Sequence, residues 1–103
     1  MNIINLTPHS ICAAGRPAIL PSGEIARVNE RTTQTGDING IPIMETKVTG
    51  IHGVPPVAKD TLYIVPTMVR QLTPDRKDLV SPAKLLRDKN GSVVGCVGFE
   101  INP

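Results

Sequence analysis

Tryptophan is absent from this sequence, and Phe and Tyr occur once each among its 103 residues. An aromatic core is excluded, so any core must be aliphatic. Only two cysteines occur, Cys12 and Cys96, with no CxxC and no Cys/His group at zinc spacing. Both sit in apolar stretches and read as buried free thiols of a reducing compartment. No apolar run approaches the length needed to span a bilayer, so no membrane partner is expected. The first residues lack a basic stretch leading into an apolar run, so no secretory signal is expected and the protein reads as cytoplasmic. GxGxxG and P-loop patterns are missing, which disfavours dinucleotide-fold and classical ATPase readings. The carboxylates are scattered, with no acid/base pair and no metal cluster. No cofactor is expected.

Ten prolines and nine glycines are present, and they exclude a bundle of long helices. Ile and Val outnumber Leu, which favours strands. The length fits one domain, 1–103. A net charge of +2 is too small for dedicated nucleic-acid binding. The charge is unevenly spread. Residues 1–60 balance to zero, whereas Arg70, Arg76, Lys77, Lys84, Arg87 and Lys89 outnumber Asp75, Asp78 and Asp88. That excess reads as a solvated face or as an anion pocket, since arginine binds phosphate through a planar fork.

The local patterns predict an α+β fold, mostly short strands with one short helix in a single compact domain. Residues 2–6 read as a strand interrupted at Thr7-Pro8-His9-Ser10. Ile11–Ala13 reads as the strand resuming, Gly15-Arg16-Pro17 as a turn, Ala18–Leu20 as an apolar segment, and Glu24–Val28 as a half-buried strand. Residues 29–40 are polar and read as a loop or mobile arm, with a turn-like Asn39-Gly40. Ile41–Val48 reads as a strand weakened by Pro42, and Gly50–Pro56 as irregular. Thr61–Val65 is the best strand, apolar and β-branched enough to be internal. Pro66 suits the first turn of a short helix ending at Leu72, before Pro74. Met68, Val69 and Leu72 are expected to face the sheet and Arg70 to face solvent or a ligand. Leu79 and Val80 return to the core, and Ser81-Pro82 is expected to stop them. Asn90-Gly91 predicts a two-residue hairpin turn with both central residues at positive φ. That register sets Lys89 opposite Ser92, Arg87 opposite Val94 and Leu85 opposite Cys96.

Candidate binding residues cluster around these breaks. Thr7 and His9 sit on the interrupted backbone after the first strand. Tyr63 is placed to stack on a ring, and Thr67 with the free N–H groups of the short helix to receive an anion. Arg70, Arg76 and Arg87 supply positive charge, and Ser81 a hydroxyl on a turn. A Cys12–His9 nucleophile pair would need a third orienting group and an oxyanion hole. Neither is visible, so binding is favoured over catalysis.

Asn5-Leu6-Thr7-Pro8-His9, Leu62-Tyr63-Ile64-Val65 and Ser81-Pro82…Arg87-Asp88…Asn90-Gly91…Gly95-Cys96 together resemble a group of small proteins of bacterial and phage genomes. That group reads NLTPH near the start, YIV in the middle and a VRD–G–GC hairpin at the end. In size and style the chain is also similar to phage sponge proteins that sequester nucleotide signals of host defence. The second similarity implies a small, oligomeric, non-catalytic binder acting in the host cytoplasm. Its partners would be a small anionic nucleotide-like ligand and further copies of the chain. Two other readings stand beside it. One is a protein-interaction or phage-structural module without a small ligand. The other is a small enzyme acting on a nucleotide or phosphoester.

Overall fold

The computed structural model describes residues 1–103. The elements run β1 (Asn2–Asn5), β2 (Arg27–Ile38), β3 (Ile41–His52), β4 (Thr61–Ile64), α1 (Thr67–Gln71), β5 (Leu79–Arg87) and β6 (Val93–Ile101). About 52% of the chain is strand and 5% helix, which agrees with the expected fold class. Four strands form a sheet in the order β1-β4-β5-β6, and β2 and β3 form a separate hairpin. β1, β4 and β5 are parallel, and β6 returns antiparallel to β5. Parallel neighbours need a crossover, and α1 with the turns of 65–78 supplies the one between β4 and β5.

The sheet does not end at its outer strands. Ala13 bridges to Cys96 of β6, Ile11 bridges to Ile19, and Pro21 bridges back to Asn5 of β1. The Cys96 N–H donates to the Cys12 carbonyl (2.8 Å), and the Ser22 N–H donates to the Asn5 carbonyl (2.9 Å). Main-chain pairing therefore runs in a ring closed by single bridges, which cover the outer edges of β6 and β1 at Cys96 and Asn5 alone. Gly95 is required in that ring. A Cβ there would stand 2.9 Å from the Cys12 carbonyl oxygen, closer than packed side chains come.

Both faces of the sheet are buried at its centre, along β4 and the start of β5. Tyr63, Val65 and Leu79 join Leu6, Ala26 and Val69 in the core cluster, with Val28, Ile51 and Val54 packed against it. Ile64 and Val80 are buried on the alternate face, the one they share by register with Asn5. The core is aliphatic except for the Tyr63 ring, as the composition requires.

Several local expectations are corrected. Residues 29–38 are strand rather than loop, because they form most of β2, paired with β3 through Ile38↔Ile41. Asn39 and Gly40 have φ of 52° and 82°. They make the two-residue turn that was expected at Asn90-Gly91. At the second site the turn starts at Asp88 instead: the Gly91 N–H donates to the Asp88 carbonyl, and only Gly91 has positive φ. The cause is the Asp88 carboxylate, which accepts from the N–H groups of Asn90 (2.8 Å) and Ser92 (3.0 Å). Leu85 does face Cys96, but a bulge after Leu86 sets Arg87 opposite Val93 rather than Val94.

Gly50–His52 belong to β3, so the irregular stretch starts later than expected. Ser81-Pro82 does not stop β5. The Val80 carbonyl accepts from Val65, so Pro82, two residues on, turns its missing N–H to the same side, past the last β4 pair. α1 lies within the expected bounds, with Pro66 as its N-cap. Its orientation differs: Val69 and Arg70 are buried, while Met68 and Leu72 are 48% and 44% exposed.

Candidate functional site

Two breaks in strand structure meet at one end of the sheet. After β1 the chain turns at Thr7-Pro8-His9, and after β4 it turns at Val65-Pro66-Thr67. Between them lies a cleft of about 630 Å3. The first wall is Thr7 to Ile11, the floor is Val65 to Thr67, and the far wall is Pro82, Leu85 and Val93. The volume falls in the range of small-molecule sites. A smaller cavity of about 110 Å3 adjoins it, reaching Cys12, Gly95 and Cys96. Thr7–Cys12, Val65–Thr67, and Pro82, Leu85 and Val93–Cys96 thus line one region.

Asn5 builds the first wall. Its side chain is buried, and Nδ2 donates to the carbonyls of His9 (2.7 Å) and Ile19 (3.0 Å). Its Oδ1 accepts from the Thr7 N–H (2.9 Å) and the Thr7 hydroxyl (2.7 Å). Four bonds from one amide fix a segment that proline keeps out of the ladder. Sequence reasoning missed Asn5 as a positioning residue, although Asn two residues before Thr-Pro is a turn signal. It also missed Ser10, Pro82, Leu85 and Val93. Ser10 and Pro82 lie within breaks visible in the sequence, whereas Leu85 and Val93 carry no such signal.

Thr7, His9 and Thr67 are brought together on the cleft. The Thr7 hydroxyl is committed to Asn5, whereas the His9 ring and the hydroxyls of Ser10 and Thr67 make no hydrogen bond within the chain. Arg87 is exposed on β5 with its Cα opposite Val93 of the far wall, and its Nη1 donates to the Gly91 carbonyl (2.9 Å).

The remaining candidates do not line the cleft. Tyr63 lies in the core, and its hydroxyl donates to the Pro56 carbonyl (3.3 Å). Arg70 and Ser81 are buried against each other. Arg70 Nε donates to Ser81 Oγ (2.8 Å), Nη1 donates to Asn102 Oδ1 (3.1 Å), and Nη2 lies 3.3 Å from the Glu100 carboxylate. A guanidinium is tolerated in the interior only with such partners. Arg76 forks onto Asp78 (2.9 and 2.8 Å) and donates to the Pro55 carbonyl (2.8 Å). That fork holds the Asp78 carboxyl below its ordinary range and raises Arg76 above its own. Tyr63 and Arg76 together therefore tie Pro55-Pro56 to the body.

No residue along the cleft is Lys, Arg, Asp or Glu. Its walls offer apolar surface, two uncommitted hydroxyls and one imidazole. No group of three or more His, Cys, Asp or Glu side chains comes together to hold a metal ion. No helix is long and apolar enough to cross a membrane. Comparison of the chain with family models, with curated proteins and with solved structures returns no match.

Proposed function

We propose that the protein is a non-catalytic binding domain that sequesters a small nucleotide-derived ligand in the cleft between Thr7–Ile11 and Pro82–Val93. The observation that carries this reading is a concave, apolar-walled site whose His9, Ser10 and Thr67 side chains have no partner within the chain. A ring packs between Pro66, Pro82 and Leu85, and the three polar groups fix its orientation. A phosphate is directed to the mouth, toward Arg87. Arg70, Arg76 and Ser81 act in the scaffold, because their hydrogen bonds are already filled. Binding rather than turnover is favoured because the His9 ring has no orienting partner and bonds to neither Ser10 nor Thr67. The protein acts as a homo-oligomer, and the proposed setting is the cytoplasm of a phage-infected host.

The test is a thermal-shift and calorimetry screen against nucleosides, mononucleotides, cyclic nucleotides and ADP-ribose derivatives. A charge-assisted contact contributes about 1.5–3 kcal/mol. Arg87→Ala is therefore expected to weaken binding at least about tenfold, and His9→Ala and Thr67→Val about tenfold each, with unchanged melting temperatures. Ligand recovered unaltered from denatured protein supports sequestration, and altered ligand makes the chain an enzyme. If no compound in the screen binds, the reading fails. The alternative is then an interaction module without a small ligand, which the long exposed β2–β3 hairpin favours.

A further inference from the structure

The β2–β3 hairpin projects from the body, and its residues 30–49 are exposed without exception. The radius of gyration is 16.5 Å, against about 13 Å for a compact domain of this length. Accessible surface is 7154 Å2. A folded monomer of this mass exposes about 5,600 Å2. The excess of about 1,500 Å2 exceeds the roughly 800 Å2 that each partner contributes to a standard interface. The pairing that closes the body leaves this hairpin with two open edges.

The two edges differ. β2 is broken by a register shift between Gln34 and Gly36, and its base lies near α1. Bulges of this kind spoil an edge for further pairing. β3 pairs continuously from Ile41 to Val48. In a two-residue turn of this type the flanking pair exchanges both hydrogen bonds, so Ile41 directs its N–H and C=O to β2. By alternation, Met44, Thr46 and Val48 present theirs to the outer edge. Pro42, which has no N–H, and the extra residue Thr49 bound this run.

We propose that the outer edge of β3 pairs antiparallel with the same edge of a second copy, about a two-fold axis at Thr46. This register sets Thr46 opposite the other copy's Thr46, Met44 opposite its Val48 and Glu45 opposite its Lys47. The outward groups of residues 44, 46 and 48 then meet their counterparts in hydrogen-bonded pairs. Met44 and Val48, which are 53% and 47% exposed, cover each other. Glu45 and Lys47 lie 3.6 Å apart within one chain, and the two-fold axis joins them to the opposite pair as four alternating charges. Moving the axis by one residue sets Glu45 against Glu45 or Lys47 against Lys47, which destabilises a pair of strands. The charge pattern therefore selects both the partner, a copy of this chain, and the register. The proposal is independent of the ligand cleft.

Light scattering and sedimentation on the full chain test it. The wild type is expected at twice its 11.0 kDa chain mass. Thr46→Pro removes an N–H that serves the outer edge and not the β2 ladder. It is expected to raise the dimer dissociation constant at least tenfold with an unchanged circular-dichroism spectrum. Glu45→Lys alone and Lys47→Glu alone are each expected to weaken the dimer at least tenfold, because each sets like charges opposite. The double variant Glu45→Lys/Lys47→Glu is expected to restore it, and so is mixing the two single variants. A wild type that stays at 11.0 kDa up to millimolar concentration overturns the proposal. So does a dimer that neither single reversal weakens, or one that the double reversal fails to restore.

Discussion

In the body, Thr61–Val65 are buried or half-buried on both faces, whereas in the hairpin arm no residue from 30 to 49 is buried on either. In the body β1 and β4 have only four residues each and β5 and β6 nine, yet the core cluster gathers on and around β4 and the start of β5. The arm's strands are twelve residues long and bury nothing along most of their length. Strand length and stability are thus uncoupled in this molecule. The body owes its stability to burial and filled polar networks. The arm relies on its ladder, its tight turn and cross-strand pairs such as Thr32–Thr46, whose hydroxyls lie 2.9 Å apart. Substitutions in the body should therefore unfold the whole protein, and equivalent ones in the arm should hardly register.

The sharpest break falls where the two regions join. Gly53 follows β3 with φ of 82°, and a Cβ there would lie 2.3 Å from the Ile25 carbonyl oxygen. Left-handed backbone costs a non-glycine residue about 1–2 kcal/mol, and a backbone overlap adds a similar amount. Gly53→Ala is expected to lose about 2–4 kcal/mol by urea unfolding. Gly40 at the arm tip has the same φ of 82° and open space around it, so Gly40→Ala isolates the backbone share alone. Equal losses for the two variants would mean that the join is not tightly packed.

Arg70→Met comes next, at about 3 kcal/mol. It strips partners from Ser81 and Asn102 while keeping most of the side-chain volume. Because Ser81 and Arg70 share one bond, Ser81→Ala should cost much less in the Arg70→Met background than alone. Additive losses would show that Arg70 is not held by this network.

The same contrast explains what could be read in the sequence. β4 and α1 were legible because Thr61–Val65 is apolar and β-branched and Pro66 marks the helix start. β2 was not. Strand periodicity arises from one buried face, and Glu30–Ile38 have none, so no alternation is imposed on them. Its remaining signals were the β-branched Thr32, Thr33 and Thr35 and the turn at Asn39-Gly40. The site divides similarly. Thr7, His9 and Thr67 were legible because proline breaks placed them at strand ends. Arg70 was not, because a five-residue helix has too few turns for periodicity to set its inner face. Its partners Ser81, Glu100 and Asn102 come from distant sequence. Tyr63, an aromatic in an apolar strand, fits a stacking surface and a core position equally by type.

A smaller effect concerns acid. The Arg76 fork lowers the Asp78 pKa, so in the folded state the carboxylate stays charged below the unfolded value of about 3.9. A depressed carboxylate pKa adds stability that is complete above the unfolded pKa and is lost as pH falls through the folded one. Asp78→Asn is expected to cost about 2 kcal/mol at pH 7, and the gap to wild type should close as pH drops below about 4. Urea midpoints from pH 7 to pH 2 measure this. A gap that persists unchanged at pH 2 would assign the loss to packing around Pro55 rather than to charge.

The smallest effect belongs to the arm tip. Ile38 and Ile41 face each other across the turn at 61% and 66% exposure, the kind of apolar pair that stabilises a buried hairpin. Here Ile38→Thr removes little area from contact and keeps the β-branch that strands favour. Exposed cross-strand pairs contribute about 0.2–1 kcal/mol, so the loss should stay near 0.5 kcal/mol, or about 2–4 °C in melting temperature. Ile38 lies on β2 and not on the β3 edge, so dimer mass should not change either. Val80→Thr provides the counterpart in the body. It is nearly isosteric but buries a hydroxyl at a position 1% exposed, and is expected to cost about 1–3 kcal/mol. If Ile38→Thr costs as much as Val80→Thr, the arm tip is covered in solution by a surface other than the β3 edge, and the division between a buried body and an open arm no longer holds.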